Sequence, residues 1–191
     1  MNIINLITQK IIRKRSKIVV GRIISYLENS KNILDVGSGP GDVAFLLQKS
    51  GKKVTAVDVD DFHGPRLVNT IIYDGEKLPF QNSSFDTALL LMVLNHTPNP
   101  DLVFQETSRV ANNIIIIETS YTNLVNRFFT IFLDTISNLR LEAFWNSYKT
   151  NTDWHFFFKN HGFKVQEFKK FNDKILGFIP FLHILYIIKK E

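Results

Sequence analysis

The stretch Ile33–Leu47 constrains the fold more than any other part of the chain. A short apolar run ends in Asp35, glycines follow at positions 37, 39 and 41, and an apolar pattern with helical spacing begins after them. This pattern predicts a buried strand, a tight turn and a helix, the first unit of a doubly wound α/β sheet. Glycines let the turn adopt positive φ values and let a ligand approach the backbone. The helix is predicted to begin near Gly41, so its N–H groups and the positive end of its dipole face whatever lies over the turn.

The spacing of the glycines indicates which ligand the turn accepts. A dinucleotide-binding turn has the pattern G-x-G-x-x-G, whereas here the glycines alternate and Asp35 precedes them. A pyrophosphate would be repelled by this acid, but a ligand with a positive amino group and a sulfonium suits it. The run resembles the first motif of class I S-adenosylmethionine-dependent methyltransferases, D-x-G-x-G-x-G. The resemblance implies that Gly37, Gly39 and Gly41, with Ser38 in the same turn, make room for the methionine part of the cofactor. It also implies that Asp35 binds the amino end.

A second acid closes the next predicted strand. Asp58 follows the turn by roughly 20 residues, the distance at which a carboxylate in a Rossmann-like sheet accepts hydrogen bonds from both ribose hydroxyls. The alternative is that Asp58 caps a helix or a turn. In the ribose-binding interpretation, Val59 offers an apolar contact to the adenine face.

A third stretch, residues 74–80 with Ser84-Phe85-Asp86 after it, resembles the adenine-side loop of methyltransferases of the type called methyltransferase domain 11. The resemblance implies that Asp74, at the end of the third strand, receives the adenine amino group, with Gly75 and Glu76 in the same loop. An acidic surface turn is the alternative. The resemblance covers about residues 33–118 and, weakly, 163–189.

The resemblance implies a Rossmann-like, doubly wound, mostly parallel sheet of seven strands in the order 3-2-1-4-5-7-6, with the last strand antiparallel. The sequence itself predicts one or two helices within 2–29 and further helices at 41–49, 101–110 and 152–160, the last capped by Thr152 or Asp153. It predicts strands at 33–36, 53–58, 67–73, 85–92, 114–118, 163–168 and 183–189. A turn is predicted at Asn112-Asn113, directly before the strand at 114–118. The crossover at 59–66 is too short for the usual helix.

The length of 191 residues predicts a single domain, residues 1–191. Within it, residues 1–32 are expected to form an N-terminal helical cap. Residues 120–150 are rich in aromatic side chains and are expected to form a helical, lid-like insertion.

Candidate catalytic residues follow the fourth predicted strand, at the edge of the sheet where ligands bind. Asn95 and His96 lie there, and His96 can remove a proton from the acceptor, orient it, or simply bond to the loop backbone. Glu118 and Tyr121, at the end of the fifth strand, could also face the acceptor, or Glu118 could cap the next helix. Methyl transfer is an in-line displacement, so positioning alone can supply most of the acceleration.

Composition and charge restrict the partners. The chain has no cysteine, which excludes disulfides, thiolate metal sites and cysteine nucleophiles. We expect no metal site, because turn solvation explains Asp60, Asp61 and His63. The net charge is +5, and basic residues gather near the start, at Lys10, Arg13, Lys14, Arg15 and Lys17. This cluster is either the solvated face of a helix or a weak peripheral contact with anionic lipid or an acidic partner. Nucleic acid is disfavoured, because no recognised reading motif accompanies the cluster.

These patterns predict methyl transfer from S-adenosylmethionine to a small-molecule acceptor, apolar or aromatic if the insertion closes the cleft. One alternative is a catalytically silent S-adenosylmethionine-binding module that serves a partner protein. A nicotinamide-dependent oxidoreductase is disfavoured by the glycine spacing. The chain shows no signal-peptide pattern and no apolar stretch of the roughly 20 residues that a membrane span needs, so we expect a cytoplasmic protein.

Overall fold

The computed structural model describes residues 3–59, 67–123, 126–128, 130–131, 147–175 and 179–191. The main helices of these segments are α1 Ile3–Ile23, α2 Asp42–Lys49, α3 Pro100–Val110 and α4 Asn151–Asn160, with single 3-10 turns at Ile24–Leu27 and Leu94–His96. The strands are β1 Asn32–Val36, β2 Lys53–Asp58, β3 Thr70–Ile72, β4 Phe85–Leu91, β5 Ala111–Ser120, β6 Phe163–Ile175 and β7 Ile179–Lys190.

The described strands form a seven-stranded sheet in the order β3-β2-β1-β4-β5-β7-β6. The pairings from β3 to β5 are parallel, whereas β7 runs antiparallel to both β5 and β6. The predicted order, the fold class and the antiparallel last strand are therefore confirmed. The chain reverses its direction of winding between β1 and β4, which makes the carboxyl ends of these strands the crevice where a doubly wound fold binds ligands.

Helices cover both faces of the sheet and bury its apolar strands. On one face, α3 and α4 contribute large aromatic side chains, among them Phe104, Trp154 and Phe158, each 0% exposed. On the other face, α1 and α2 contribute aliphatic side chains, including Ile23 and Leu47. Alternate residues of each strand pack into the hydrophobic layers on the two faces of the sheet, because strand side chains point to opposite faces.

The fifth strand is longer than predicted, and the predicted turn at Asn112-Asn113 is wrong. Helix α3 leads directly into β5 at Ala111, and Asn113 lies opposite Lys189 of β7. Asparagine favours turns because its side chain bonds to nearby backbone. Here the Asn113 Nδ2 atom instead donates to the carbonyl oxygen of Asp86, at the start of β4, at 2.9 Å. Pairing with distant strands therefore outweighs the local preference.

Other boundaries also differ from the predictions. The third strand shrinks from 67–73 to three residues, Thr70–Ile72, while the last two strands extend into a hairpin that ends near residues 175 and 179. Helix α4 is capped by Thr150 and not by Thr152 or Asp153. The Thr150 hydroxyl accepts from the Asp153 N–H at 3.2 Å, and the Asp153 carboxylate accepts in return from the Thr150 N–H at 3.1 Å. This reciprocal pair is a capping box.

Two predictions fall largely outside the described residues: the short crossover at 59–66, of which only Val59 is described, and most of the insertion at 120–150. The side chains of residues 1–9 also lie outside the description. Within the described part of the chain, no helix has the length and apolar character that crossing a bilayer requires.

Candidate active site

The alternate glycines form a turn over the end of β1 that is fixed to β2. All three have positive φ angles, +68° at Gly37, +53° at Gly39 and +83° at Gly41. The N–H groups of Gly37 and Ser38 both donate to the carbonyl oxygen of Val57, at 2.9 and 3.1 Å. The backbone conformation of this turn strains residues other than glycine, so the sequence pattern has a direct structural cause.

The three glycines differ in what surrounds them. A Cβ atom at Gly37 would lie 2.7 Å from a methyl group of Val93, and one at Gly41 would lie 2.6 Å from a methyl group of Val68. At Gly39, no described atom lies within 4 Å of such a Cβ. Two glycines therefore serve close packing inside the protein, and the middle one opens towards the space above the turn.

Asp58 lies at the end of β2, where the sequence predicts it. Its Oδ2 atom accepts from the N–H of Gly39 at 2.6 Å, and its Oδ1 atom accepts from the N–H of Val59 at 2.8 Å. The carboxylate therefore caps the turn, which is the alternative role that the sequence suggested. Because a carboxylate accepts several hydrogen bonds at once, this contact is compatible with ribose binding, which stays a prediction.

The adenine-side loop lies against Val59. This side chain is 55% exposed, although it is apolar, and a Cβ atom at Gly75 would lie 3.2 Å from one of its methyl groups. The Oδ1 atom of Asp74 accepts from the N–H groups of Glu76 and Lys77 at 2.8 and 2.9 Å, and these bonds hold the pKa of Asp74 below its usual range. Asp74 thus forms the turn suggested as the alternative, and its contact with adenine stays a prediction.

Asp35 is buried beneath the glycine turn and is only 2% exposed. Burial, reinforced by the nearby charge of Asp58, raises its pKa to about 7, while the backbone N–H of Ala44 in α2 acts in the opposite direction. Among the described residues, its Oδ2 atom has no hydrogen-bond partner. A buried carboxylate oxygen in this state favours a cationic ligand group.

On the other side of the crevice, a buried acid joins β5 to the turn that follows β4. The Oε1 atom of Glu118 accepts from the N–H groups of Val93 and Leu94 at 2.9 and 2.7 Å, and burial raises its pKa to about 7. The side-chain amide of Asn95 donates to the carbonyl oxygen of Thr119 at 2.7 Å. Glu118 therefore caps the 3-10 turn that follows β4. The sequence signal for this role is the acidic residue that ends the apolar run 114–118.

The candidate catalytic side chains differ in their surroundings. His96 is half-buried, and its ring centroid lies 6.2 Å from that of Tyr148, edge to face. Tyr121 carries the guanidinium of Arg127 over its ring at 5.4 Å. Asn95 is 1% exposed, and its amide nitrogen is bonded to β5. Its contact with an acceptor stays a prediction.

Among the described residues, five buried side-chain oxygen atoms have no hydrogen-bond partner, and four of them lie at the carboxyl ends of β1, β4 and β5: Asp35 Oδ2, Ser38 Oγ, Asn95 Oδ1 and Glu118 Oε2. The fifth is Thr70 Oγ1 in β3. Buried polar atoms are normally paired, so such a concentration indicates where a ligand binds. The described residues contain no group of histidine and acidic side chains able to hold a metal ion, and Asp60, Asp61 and His63 lie outside them.

Comparison with known proteins agrees with this geometry. A family model described as a methyltransferase domain matches residues 34–113, somewhat less than half of the chain. The match begins within β1 and ends within β5, so it contains the glycine turn, Asp58 and the loop after β3.

Two curated relatives match similar shares of the chain. A sterol 4-C-methyltransferase of Caenorhabditis elegans is 31% identical over 46% of this chain and 30% of its own length. A ubiquinone/menaquinone biosynthesis C-methyltransferase of Rhizobium rhizogenes is 25% identical over 50% of this chain and 44% of its own length. The chain thus spans less than half the length of these curated relatives.

The likeness to solved structures covers more of the chain than the sequence matches do. The magnesium protoporphyrin IX methyltransferase of Synechocystis PCC 6803, solved with bound S-adenosylhomocysteine, superposes with a TM-score of 0.66 at 15% identity and covers 100% of this chain and 88% of its own. The matched motif region, the strand order and this likeness in fold support a class I S-adenosylmethionine-dependent methyltransferase and imply S-adenosylmethionine as the cofactor.

Proposed function

We propose that this protein transfers a methyl group from S-adenosylmethionine to a small, apolar or aromatic acceptor bound at the carboxyl ends of β1, β4 and β5. One observation carries the proposal: the glycine turn is open at Gly39, and the buried Asp35 carboxylate beneath it has an oxygen atom unpaired among the described residues. This combination of space and a buried carboxylate oxygen fits the methionine part of the cofactor, whose positive amino group would favour the ionised form of Asp35.

The remaining cofactor contacts follow from the order of the strands. The ribose hydroxyls would donate to Asp58, and the adenine ring would lie on the exposed methyl groups of Val59, between that residue and Gly75. Asp74, which its own turn fixes in place, would receive the adenine amino group. The bound cofactor supplies an electrophilic methyl group on a sulfonium.

The protein's own contribution is positioning and proton handling. Hydrogen bonds from Val93 and Leu94 to Glu118 fix the 3-10 turn that carries His96. His96 would orient the acceptor and accept its proton where the methylated atom loses one. Because the attack must be in line with the breaking bond, a rigid turn beside the sulfonium raises the rate without further chemistry.

The choice of an apolar ring compound as the acceptor rests on observations separate from the cofactor site. The two relatives are named for methylating carbon atoms of a sterol and of quinone precursors, which are apolar ring compounds. In this chain, the segment after β5 is rich in aromatic residues; of these, Phe128 is 53% exposed, and Tyr148 contacts the ring of His96. A flat, apolar acceptor suits such surroundings.

A matched pair of glycine variants tests the cofactor site. Gly39→Ala and Gly51→Ala each place a side chain at a positive φ angle, +53° and +84°, with no described atom within 4 Å of the new Cβ. We expect each to cost about 1–2 kcal/mol of stability. Only Gly39→Ala should weaken binding of S-adenosylmethionine, by at least tenfold in titration calorimetry. Equal affinity of the two variants would contradict the assigned binding surface.

Turnover is tested separately, with radiolabelled S-adenosylmethionine and lipid extracts as the acceptor source. Labelled product that requires His96 supports the proposal. A silent binding module is the second candidate, because the Asn95 amide and one Glu118 oxygen are already bonded to backbone groups. Equal affinity for S-adenosylmethionine and S-adenosylhomocysteine, with no labelled product, would favour that module and overturn methyl transfer.

A further inference from the structure

Helix α1 is held against the sheet along one side. Val19 and Ile23 are buried, at 4% and 0% exposure. The guanidinium of Arg22 forms two hydrogen bonds to the carboxylate of Asp173 in β6, at 2.7 and 2.5 Å. These contacts fix the orientation of the helix, so its opposite side has a defined composition.

That opposite side combines apolar and basic residues. Ile11 and Ile18 are 58% and 46% exposed, which is unusual for isoleucine, and they lie two helical turns apart with the exposed Lys14 between them. Exposed cations continue the surface on one side, at Lys10, Arg13, Lys14 and Lys17. The sequence of α1 contains no acidic residue. We call these six residues the outer face of α1.

We propose that the outer face of α1 docks this protein on an anionic lipid bilayer. The cations would attract the negatively charged headgroups, and the two isoleucines would enter the boundary between headgroups and acyl chains. A nucleic acid or an acidic protein would also pair with the cations. The exposed isoleucines favour the bilayer, because it accepts basic and apolar side chains from one helix face at the same time.

The position of α1 relates this surface to the crevice. Arg15, within the stretch that bears the outer face, donates a hydrogen bond to the Sδ atom of Met92 at 2.7 Å, and Met92 directly follows β4. The docking helix therefore contacts the edge of the sheet that bears the candidate site. An apolar acceptor dissolved in the bilayer would then be close to that edge, a consequence that rests on the proposed function.

Vesicle sedimentation with the full chain tests the docking directly. We expect binding to vesicles of phosphatidylcholine with phosphatidylserine, little binding to phosphatidylcholine alone, and weaker binding as salt screens the charges. The variant Lys10→Gln/Lys14→Gln/Lys17→Gln should lower the partition coefficient about hundredfold, because each surface cation contributes several-fold. Ile11→Ser/Ile18→Ser should lower it about tenfold.

The matched control is Lys159→Gln/Lys164→Gln/Lys170→Gln, which removes the same charge from exposed residues of α4 and β6. It should keep at least half of the wild-type binding. Any one of three results would overturn the proposal. These are equal losses of binding in the two triple variants, equal binding to neutral and anionic vesicles, and binding to RNA without binding to vesicles. Calorimetry with S-adenosylmethionine on the same variants reports cofactor binding separately, so failure of the proposed function remains distinguishable.

Discussion

Asp35 shows how one residue connects the fold to the ligand. Its carboxylate is buried near Asp58, and this environment raises its pKa to about 7, so the folded protein opposes its ionisation. A positive amino group bound nearby would reverse this preference and favour the ionised form. Binding of the cofactor at neutral pH should therefore release protons from Asp35.

We predict that Asp35→Asn, which keeps the size of the side chain and removes its charge, weakens binding of S-adenosylmethionine. A hydrogen bond to a charged group contributes about 1.5–3 kcal/mol, which corresponds to a loss of about 10- to 100-fold in affinity. The stability of the protein without cofactor should stay the same or rise, because a buried charge is removed. Calorimetry in buffers of different ionisation enthalpy should detect proton release in the wild type and none in the variant.

Asp86→Asn is the control for this prediction. Asp86 is exposed near the amino end of β4, where it accepts from the N–H groups of Lys31 and Asn32 at 2.8 Å each, far along the strand from the crevice. Its loss should leave cofactor affinity unchanged. If Asp35→Asn retained wild-type affinity, the amino group of the cofactor would have to bind elsewhere.

At the residue scale, local sequence signals were sufficient to predict the glycine turn but not the different roles of its three glycines. The alternate glycines and the acids at strand ends can be recognised within a few consecutive residues. That Gly37 packs against Val93 and Gly41 against Val68, while Gly39 faces open space, depends on side chains far away in the sequence. The bond from Gly39 to Asp58 is long-range for the same reason.

Between elements, Glu118 is the main connection across the crevice. Its carboxylate on β5 holds Val93 after β4, and a methyl group of Val93 fills the space beside Gly37 after β1. The carboxyl ends of three strands are thus joined through one buried side chain. The shape of the crevice between β1 and β4 depends on this chain of contacts.

We predict that Glu118→Ala destabilises the protein strongly, by about 2–4 kcal/mol, because the N–H groups of Val93 and Leu94 lose their acceptor and an orphaned buried donor costs about 1–3 kcal/mol. Glu118→Gln should cost less than half as much, since its amide oxygen can still accept. Urea denaturation measures both values. Glu28→Ala, at an exposed site, should change stability little, and a similar loss in all three variants would contradict the role of Glu118.

Elements defined by their own residues were predicted more accurately than those defined by partners. The apolar run of β2 gave its bounds correctly, whereas β5 and the β6–β7 hairpin are longer than their apolar patterns. In both of these cases, backbone pairing extends beyond the predicted apolar run and includes polar positions such as Asn113 and Asn172. Strand length is a property of the pair and cannot be inferred from one strand alone.

For the molecule as a whole, the order of the seven strands came from the family resemblance, since composition and periodicity alone allow several arrangements of the same strands. What the whole fold adds is burial, and burial controls the charges. Asp35 and Glu118, which the sequence presents as ordinary acids, lie in the described core with their pKa values both raised to about 7.

These two acids predict an unusual dependence of stability on pH. In the unfolded chain they ionise near their ordinary pKa values of 3.8 and 4.5, and in the folded protein near 7. Between about pH 4 and 7 the folded state therefore binds more protons, so stability should fall as the pH rises, by up to ~1.4 kcal/mol per pH unit for each acid. Above this window both states are ionised and the effect ends.

Comparison of the wild type with Asp35→Asn/Glu118→Gln isolates this effect from other titrating groups. His155, whose pKa burial lowers, acts in the opposite direction below its ordinary value of 6.5, but it is present in both proteins and cancels in the difference. Urea denaturation across the window should show a decline in the wild type that the double variant lacks. Saturating S-adenosylmethionine should also reduce the decline, because a bound amino group lowers the pKa of Asp35. Parallel profiles of the two proteins would mean that neither acid resists ionisation in the folded state.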